Sequence, residues 1–164
     1  MTHNIATIIE SMKVPENWGY LTLSLIISGL YYSVVLNIKD IEEYALQKAY
    51  DYCPELKNLI QKMKEPKDRH VTFSYGKNNQ TLDDNLNKFK KIFITRIIWG
   101  ESGIRFDVIL EDDDKKIFDN KADPHITVRY TESPANVGVD EYDRINSIEL
   151  DSIEVIGLMT KSIP

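Results

Sequence analysis

Two of the three histidines lie in closely similar hexapeptides. The first runs from His70 to Tyr75 with the sequence HVTFSY, and the second runs from His125 to Tyr130 with the sequence HITVRY. Both follow the order histidine, apolar residue, threonine, apolar residue, variable residue, tyrosine. Because residues two apart on a β-strand project from the same face, each segment places a histidine beside a threonine. The pattern predicts two strands that present imidazole and hydroxyl groups to one cleft.

These groups suit a phosphate ester. Hydroxyls and imidazole N–H groups donate hydrogen bonds to phosphate oxygens. Histidine titrates near neutrality, so one imidazole can deprotonate the attacking group while the other protonates the leaving oxygen. We therefore expect His70, Thr72, His125 and Thr127 to be catalytic, with no metal and no cofactor. The sequence does not say which histidine is the acid, and the alternative is two strand histidines satisfied by nearby carbonyls.

Four further residues are candidates for substrate binding. Ser74 and Arg129 each lie four residues after a motif histidine, so they face the same cleft if both strands stay regular. Arg129 would then supply positive charge for a phosphodiester in an acidic protein. Tyr75 and Tyr130 could stack on a base, with packing in the core or at the rim as the competing interpretation.

Paired His-apolar-Thr-apolar segments resemble those of the 2H (two-histidine, LigT-like) phosphoesterase superfamily. The pattern is most similar to the cyclic phosphodiesterase domain of fungal tRNA ligases, and the resemblance covers roughly residues 20–160. The resemblance implies a bilobal α+β fold with mostly antiparallel sheets, pseudo-twofold symmetry and flanking helices. The residues that carry it outside the motifs are Trp99, Asn120, Lys121, Pro124, Pro134, Ala135 and Asn136.

The resemblance implies a metal-independent phosphodiesterase that hydrolyses a 2′-linked or 2′,3′-cyclic phosphodiester of a nucleotide. The substrate could be a 2′,3′-cyclic phosphate end of RNA, 2′-5′ oligoadenylate, or a cyclic dinucleotide such as cGAMP. The abundance of Ile, Asn, Lys, Asp and Tyr is typical of an AT-rich genome, such as that of many large DNA viruses. One hypothesis is therefore a viral enzyme that destroys a host nucleotide immune signal. The alternative is a nucleotide- or RNA-binding module without turnover.

Composition limits the partners. The 164 residues are 42% hydrophobic and 28% charged, with a formal net charge of −6, which is typical of a soluble globular domain. An acidic chain is not expected to form a stable complex with long nucleic acid, so we expect a small nucleotide or an RNA end as substrate. A single cysteine and an N-terminus without a signal peptide favour the cytoplasm. We also expect a monomer.

The chain is expected to comprise a helical extension over residues 1–19 and a phosphoesterase domain over residues 20–164. Residues 18–38 contain no charged residue, but their period-two alternation favours two strands, at 20–27 and 30–38, over a membrane helix. Helices are predicted from Asp40, over 54–64 and over 82–89. Further strands are predicted at 70–75, 92–99, 104–111, 125–130 and, singly or as a pair, over 145–159, with a hairpin turn at 112–116.

Overall fold

The computed structural model of the protein describes residues 29–134 and 146–163. The strands in these ranges are β1 (Tyr31–Leu36), β2 (Arg69–Tyr75), β3 (Phe89–Gly100), β4 (Gly103–Leu110), β5 (His125–Tyr130) and β6 (Asn146–Ser162). The helices are α1 (Lys39–Tyr52), α2 (Leu56–Ile60), α3 (Gln80–Asp83) and α4 (Asp112–Ile117). The predicted N-terminal extension and the strand predicted at 20–27 lie outside the described residues.

The strands form one closed antiparallel barrel in the order β1-β2-β5-β4-β3-β6, with β6 returning to β1. The expected bilobal α+β fold with flanking helices is therefore wrong. Two lobes would require the sheet to divide between the motif strands. Instead, Val71 of β2 and Ile126 of β5 are register partners, so the sheet continues across both motifs.

The long strand β6 closes the barrel because it pairs with both β3 and β1. Its register partners run along β3 from Trp99 to Phe89, and its last residues pair with β1. The two neighbouring strands come so close at Gly157 that a Cβ there would lie 2.5 Å from Val34 Cγ1 and 2.6 Å from the Val35 carbonyl oxygen. Only glycine fits this approach without a backbone shift.

Most of the buried apolar residues in the described part of the chain belong to one hydrophobic cluster. Helix α1 contributes Ala45, Leu46 and Ala49 to it, at the three- and four-residue spacing of a single helix face. Strand residues from around the barrel complete the same cluster. Burying apolar surface on one side of each strand leaves the other side available for polar groups.

Most predicted elements are found, with three corrections. The helix predicted over 54–64 is the shorter α2, and the turn predicted at 112–116 is helix α4. The helix predicted at 82–89 overlaps α3 only at residues 82–83, and residue 89 already belongs to β3. Three aspartates in the first turn of α4 favour a helix because they complement its N-terminal dipole. Asp114 also accepts a hydrogen bond from Lys90 Nζ at 2.9 Å, which holds the helix against the barrel.

The second strand predicted in residues 18–38 is β1. No helix within residues 29–134 and 146–163 combines the length and apolar character needed to cross a bilayer.

Candidate active site

The pairing of β2 with β5 determines which side chains share a face. Val71 and Ile126 are both fully buried. Their neighbours in each strand, His70 with Thr72 and His125 with Thr127, are half-buried and project from the opposite face. Because the strands are antiparallel, His70 lies on the side of Thr127 and Thr72 on the side of His125. Each histidine therefore has a threonine of the other motif as its neighbour across the strands.

All four of these side chains line one cleft of about 470 Å³. Its walls combine polar and aromatic groups, which suits a ligand that carries both a phosphate and a base. The other lining residues are Tyr31, Pro66, Asp68, Tyr75, Asn120, Ala122 and Pro134.

The two imidazoles are anchored differently. Nδ1 of His70 hydrogen-bonds to the carboxylate oxygen Oδ1 of Asp68. Nδ1 of His125 donates to the backbone carbonyl oxygen of Asp123 at 2.8 Å. A carbonyl only accepts, so Nδ1 of His125 carries the proton, and Nε2 keeps its lone pair while the ring is neutral.

The surroundings of His125 favour this neutral form. Burial lowers the pKa of His125 below its ordinary value, and the positive charges of Arg105 and His70 act in the same direction. The hydrogen bond to Asp123 and the carboxylate of Asp107 oppose the shift without cancelling it. A neutral imidazole with a free Nε2 lone pair can accept a proton.

A buried arginine lies on the strand next to the second motif. Arg105 of β4 is the register partner of Thr127, and Asp107 is the register partner of His125. Arg105 is 2% exposed, and its Nη2 lies 3.1 Å from Asp107 Oδ1. The sequence analysis missed both residues, although they alternate with the apolar residues of β4 as outward-facing residues do.

Ser74 and Arg129 are not brought to the cleft. In β2 the register advances from Ser33↔Thr72 to Tyr32↔Ser74, which leaves Phe73 as an extra residue. In β5 it advances from Arg105↔Thr127 to Ile104↔Arg129. Each motif strand therefore bulges three residues after its histidine. A bulge interrupts the alternation of faces, so the expectation that residues four positions on share the cleft does not hold.

The side chains of Ser74 and Arg129 contact parts of the structure other than the cleft. Ser74 is fully buried, and its hydroxyl has no hydrogen-bond partner among the described residues. Arg129 binds Glu42 Oε1 at 3.4 Å and Glu65 Oε1 at 3.1 Å. Its guanidinium thus belongs to a cluster of ion pairs outside the cleft lining.

Of the two motif tyrosines, Tyr75 lies at the cleft and Tyr130 does not. Tyr75 is 62% exposed, and its ring stands 6.5 Å from that of Tyr31, with 24° between the planes. The Tyr31 ring is also 5.6 Å from the imidazole of His70. Tyr130 packs against Ile98 instead. The sequence analysis missed Tyr31, which lies outside both motifs.

The segment between α4 and β5 forms another wall of the cleft, to which it contributes Asn120 and Ala122. The backbone N–H of Asp119 donates to the Phe73 carbonyl at 2.8 Å, and Asn120 Nδ2 donates to the Thr72 carbonyl at 3.2 Å. These bonds tie the segment to β2 just where the β2–β5 pairing ends. Trp99, another residue of the family resemblance, lies in the core rather than at the cleft.

No protein-family model and no curated protein matches this chain. One similar solved structure is described as the crystal structure of TT0787 of Thermus thermophilus, with 12% sequence identity and a TM-score of 0.43. The match covers 82% of this chain and 93% of the other. At this identity and TM-score the similarity concerns the fold alone and carries no functional conclusion.

Proposed function

We propose that the protein is a metal-independent phosphodiesterase of the two-histidine kind, acting on a nucleotide in which a ribose 2′-oxygen is part of the scissile or adjacent linkage. The single observation that carries this proposal is the cleft shared by His70, Thr72, His125 and Thr127. The resemblance of the two motifs to those of 2H phosphoesterases also supports it.

The anchoring of the two rings supports a division of roles. His125 is the base, because its proton is on Nδ1 and its lowered pKa keeps Nε2 unprotonated near neutral pH. His70 is the acid, because the negative charge of Asp68 complements the positive charge that His70 carries when protonated. In this division of roles the base must begin the reaction neutral and the acid must begin it protonated.

With these roles, one proton moves from the attacking group to His125 and one moves from His70 to the leaving oxygen. Nε2 of His125 takes the proton of an attacking water or ribose hydroxyl, whose oxygen forms the new bond to phosphorus. The bond from phosphorus to the leaving ribose oxygen breaks, and His70 Nε2–H protonates that oxygen. The hydroxyls of Thr72 and Thr127 donate to the non-bridging oxygens as negative charge grows there. Arg105, the buried register partner of Thr127 on the neighbouring strand, adds positive charge close to the second motif.

Product formation on a substrate panel tests the proposal. The wild-type protein is incubated, with EDTA present, with 2′,3′-cyclic mononucleotides, 2′-5′ oligoadenylate, and 2′,3′- and 3′,3′-cyclic dinucleotides. Cleavage of at least one member is the expected result, and the preferred member identifies the substrate class. Measurable binding with no product from any member would overturn the proposal in favour of a nucleotide-binding module.

A further inference from the structure

An aspartate precedes each motif histidine by two residues, as Asp68-Arg69-His70 and Asp123-Pro124-His125. The two aspartates are used in different ways. Asp68 offers its side-chain carboxylate to Nδ1 of His70, whereas Asp123 offers its backbone carbonyl to Nδ1 of His125. One imidazole therefore faces a full negative charge, and the other faces a neutral dipole.

Asp68 lies on the loop that precedes β2, and the side chain of Arg69 holds this loop in place. Arg69 Nη1 donates to the carbonyl oxygen of Pro66 at 3.1 Å, which ties the loop backbone to the first residue of β2. Arg69 Nη2 also binds Glu65 Oε1 at 3.1 Å, so two of the residues just before Asp68 are held by one guanidinium.

The same guanidinium is held by helix α1. Arg69 Nε donates to Glu42 Oε1 at 2.6 Å, and Glu42 is only 7% exposed. Arg129 of the other motif strand binds both Glu42 and Glu65. Glu42, Arg69 and Arg129 are largely withdrawn from water, whereas the Glu65 side chain is 65% exposed. Charged groups that are buried and shared in this way favour one fixed arrangement over alternatives. The loop therefore presents Asp68 to His70 in a defined position.

We propose that Asp68 is a positioning residue for His70, and this inference rests on the phosphodiesterase function proposed above. Its carboxylate keeps the proton on Nδ1 of the neutral ring and fixes the rotation of the ring, so that Nε2 faces the cleft. A hydrogen-bond partner on the rear nitrogen selects the tautomer and orientation of an imidazole in this way. The carboxylate also complements the charge of the protonated ring before it releases its proton.

The test compares Asp68→Asn with Asp68→Glu. The asparagine amide can donate to Nδ1 and so favours the tautomer with its proton on Nε2. We expect kcat on the preferred substrate to fall about 10–100-fold in Asp68→Asn, while KM changes less than threefold. Asp68→Glu keeps the carboxylate and should recover part of the lost kcat.

Two further variants serve as controls. Asp113→Asn changes an aspartate whose side chain is 98% exposed on α4, and its kcat should equal that of the wild type. Asp123→Asn keeps the backbone carbonyl that binds His125, so its loss of kcat should be smaller than that of Asp68→Asn. Equal kcat in Asp68→Asn and wild type, or equal losses in the Asp68 and Asp123 variants, would overturn the inference.

A second readout separates this inference from the proposed function. Nitrogen chemical shifts of His70, measured on ¹⁵N-histidine-labelled protein, report which ring nitrogen carries the proton. In the neutral form of the ring, we expect the proton on Nδ1 in the wild type and a larger share of the Nε2–H form in Asp68→Asn. If no substrate of the panel is cleaved but the shifts change as expected, the proposed phosphodiesterase function is rejected. The effect of Asp68 on the tautomer of His70 is then still supported. If the enzyme is active but the His70 nitrogen shifts are the same in Asp68→Asn and in the wild type, the positioning role of Asp68 is rejected and the phosphodiesterase function is retained.

Discussion

Val71 and Ile126 are register partners, and each is fully buried. This pair joins the two motif strands and directs the neighbouring histidines and threonines to the opposite face. We expect Ile126→Ala to lower the free energy of unfolding by about 2–5 kcal/mol, because it leaves a cavity in the core. Ile109→Ala is the matched control, because Ile109 is 49% exposed and should lose less than about 1 kcal/mol. Equal losses in urea unfolding would contradict this packing.

The pH dependence of activity should report His125. The base must be neutral, so kcat/KM should rise with pH as His125 loses its proton. Burial lowers the pKa of His125, so we expect the midpoint of this rise below about 6.5, the ordinary value for histidine. Asp107→Asn removes a carboxylate that raises the pKa of His125 and should move the midpoint to still lower pH. A midpoint above 6.5, or a shift upward in Asp107→Asn, would contradict the assignment of His125 as the base.

Acid should also affect stability through the same group. The pKa of His125 is lowered in the folded protein, so the unfolded chain takes up a proton first as the pH falls below about 6.5. The stability associated with neutral His125 is present above this value and is lost as the pH falls toward the folded-state pKa. Urea unfolding between pH 7 and pH 5 should show a smaller loss in His125→Asn than in the wild type. An equal loss in both proteins would contradict the lowered pKa.

The exposed ring of Tyr75 is expected to bind the base of the substrate. Tyr75→Ala should raise KM by about 5–150-fold, which corresponds to the 1–3 kcal/mol of stacking on one base, with little change in kcat. Tyr44→Ala is the control, because Tyr44 is 49% exposed on α1 and is not among the residues of the cleft. Steady-state kinetics on the preferred substrate provide the measurement, and an unchanged KM in Tyr75→Ala would exclude the stacking role.

Arg129→Ala distinguishes a structural role from phosphate binding. Because Arg129 binds Glu42 and Glu65, the change should lower the free energy of unfolding by about 1–3 kcal/mol. The kcat/KM should fall less than tenfold. Lys116→Ala removes a positive charge that is 78% exposed and should change neither quantity. A fall of a hundredfold or more in kcat/KM for Arg129→Ala would support the direct phosphate contact expected from strand alternation.

The sequence was a good guide to the local structure around each motif. The period of the strand predicted that His70 and Thr72 share a face, and the structure agrees, because Val71 between them is fully buried on the opposite face. Alternation failed beyond Phe73, because the bulge depends on how β2 pairs with β1 rather than on the motif itself. The positions of Ser74 and Arg129 could therefore not be read from the period of the strand.

Features that depend on distant parts of the chain were missed. The barrel closes because β6 pairs with both β3 and β1, and nothing in either motif indicates this pairing. Tyr31 and Arg105 approach the motifs only through strand register. Asp68 was also missed, although the sequence shows an aspartate two residues before each motif histidine. Only the structure shows that Asp68 contacts its histidine through the side-chain carboxylate, whereas Asp123 does so through its backbone carbonyl.

The most direct test of the central claim is the rate of phosphodiester cleavage by His70→Ala and His125→Ala, measured beside the wild type in EDTA on the preferred substrate. Each variant should lose about 100–10,000-fold in kcat, the range for removal of a general acid or base. Nucleotide binding and the unfolding midpoint should stay close to wild-type values. A variant that retains its rate within tenfold would contradict the account, because that histidine would then carry no proton in the reaction.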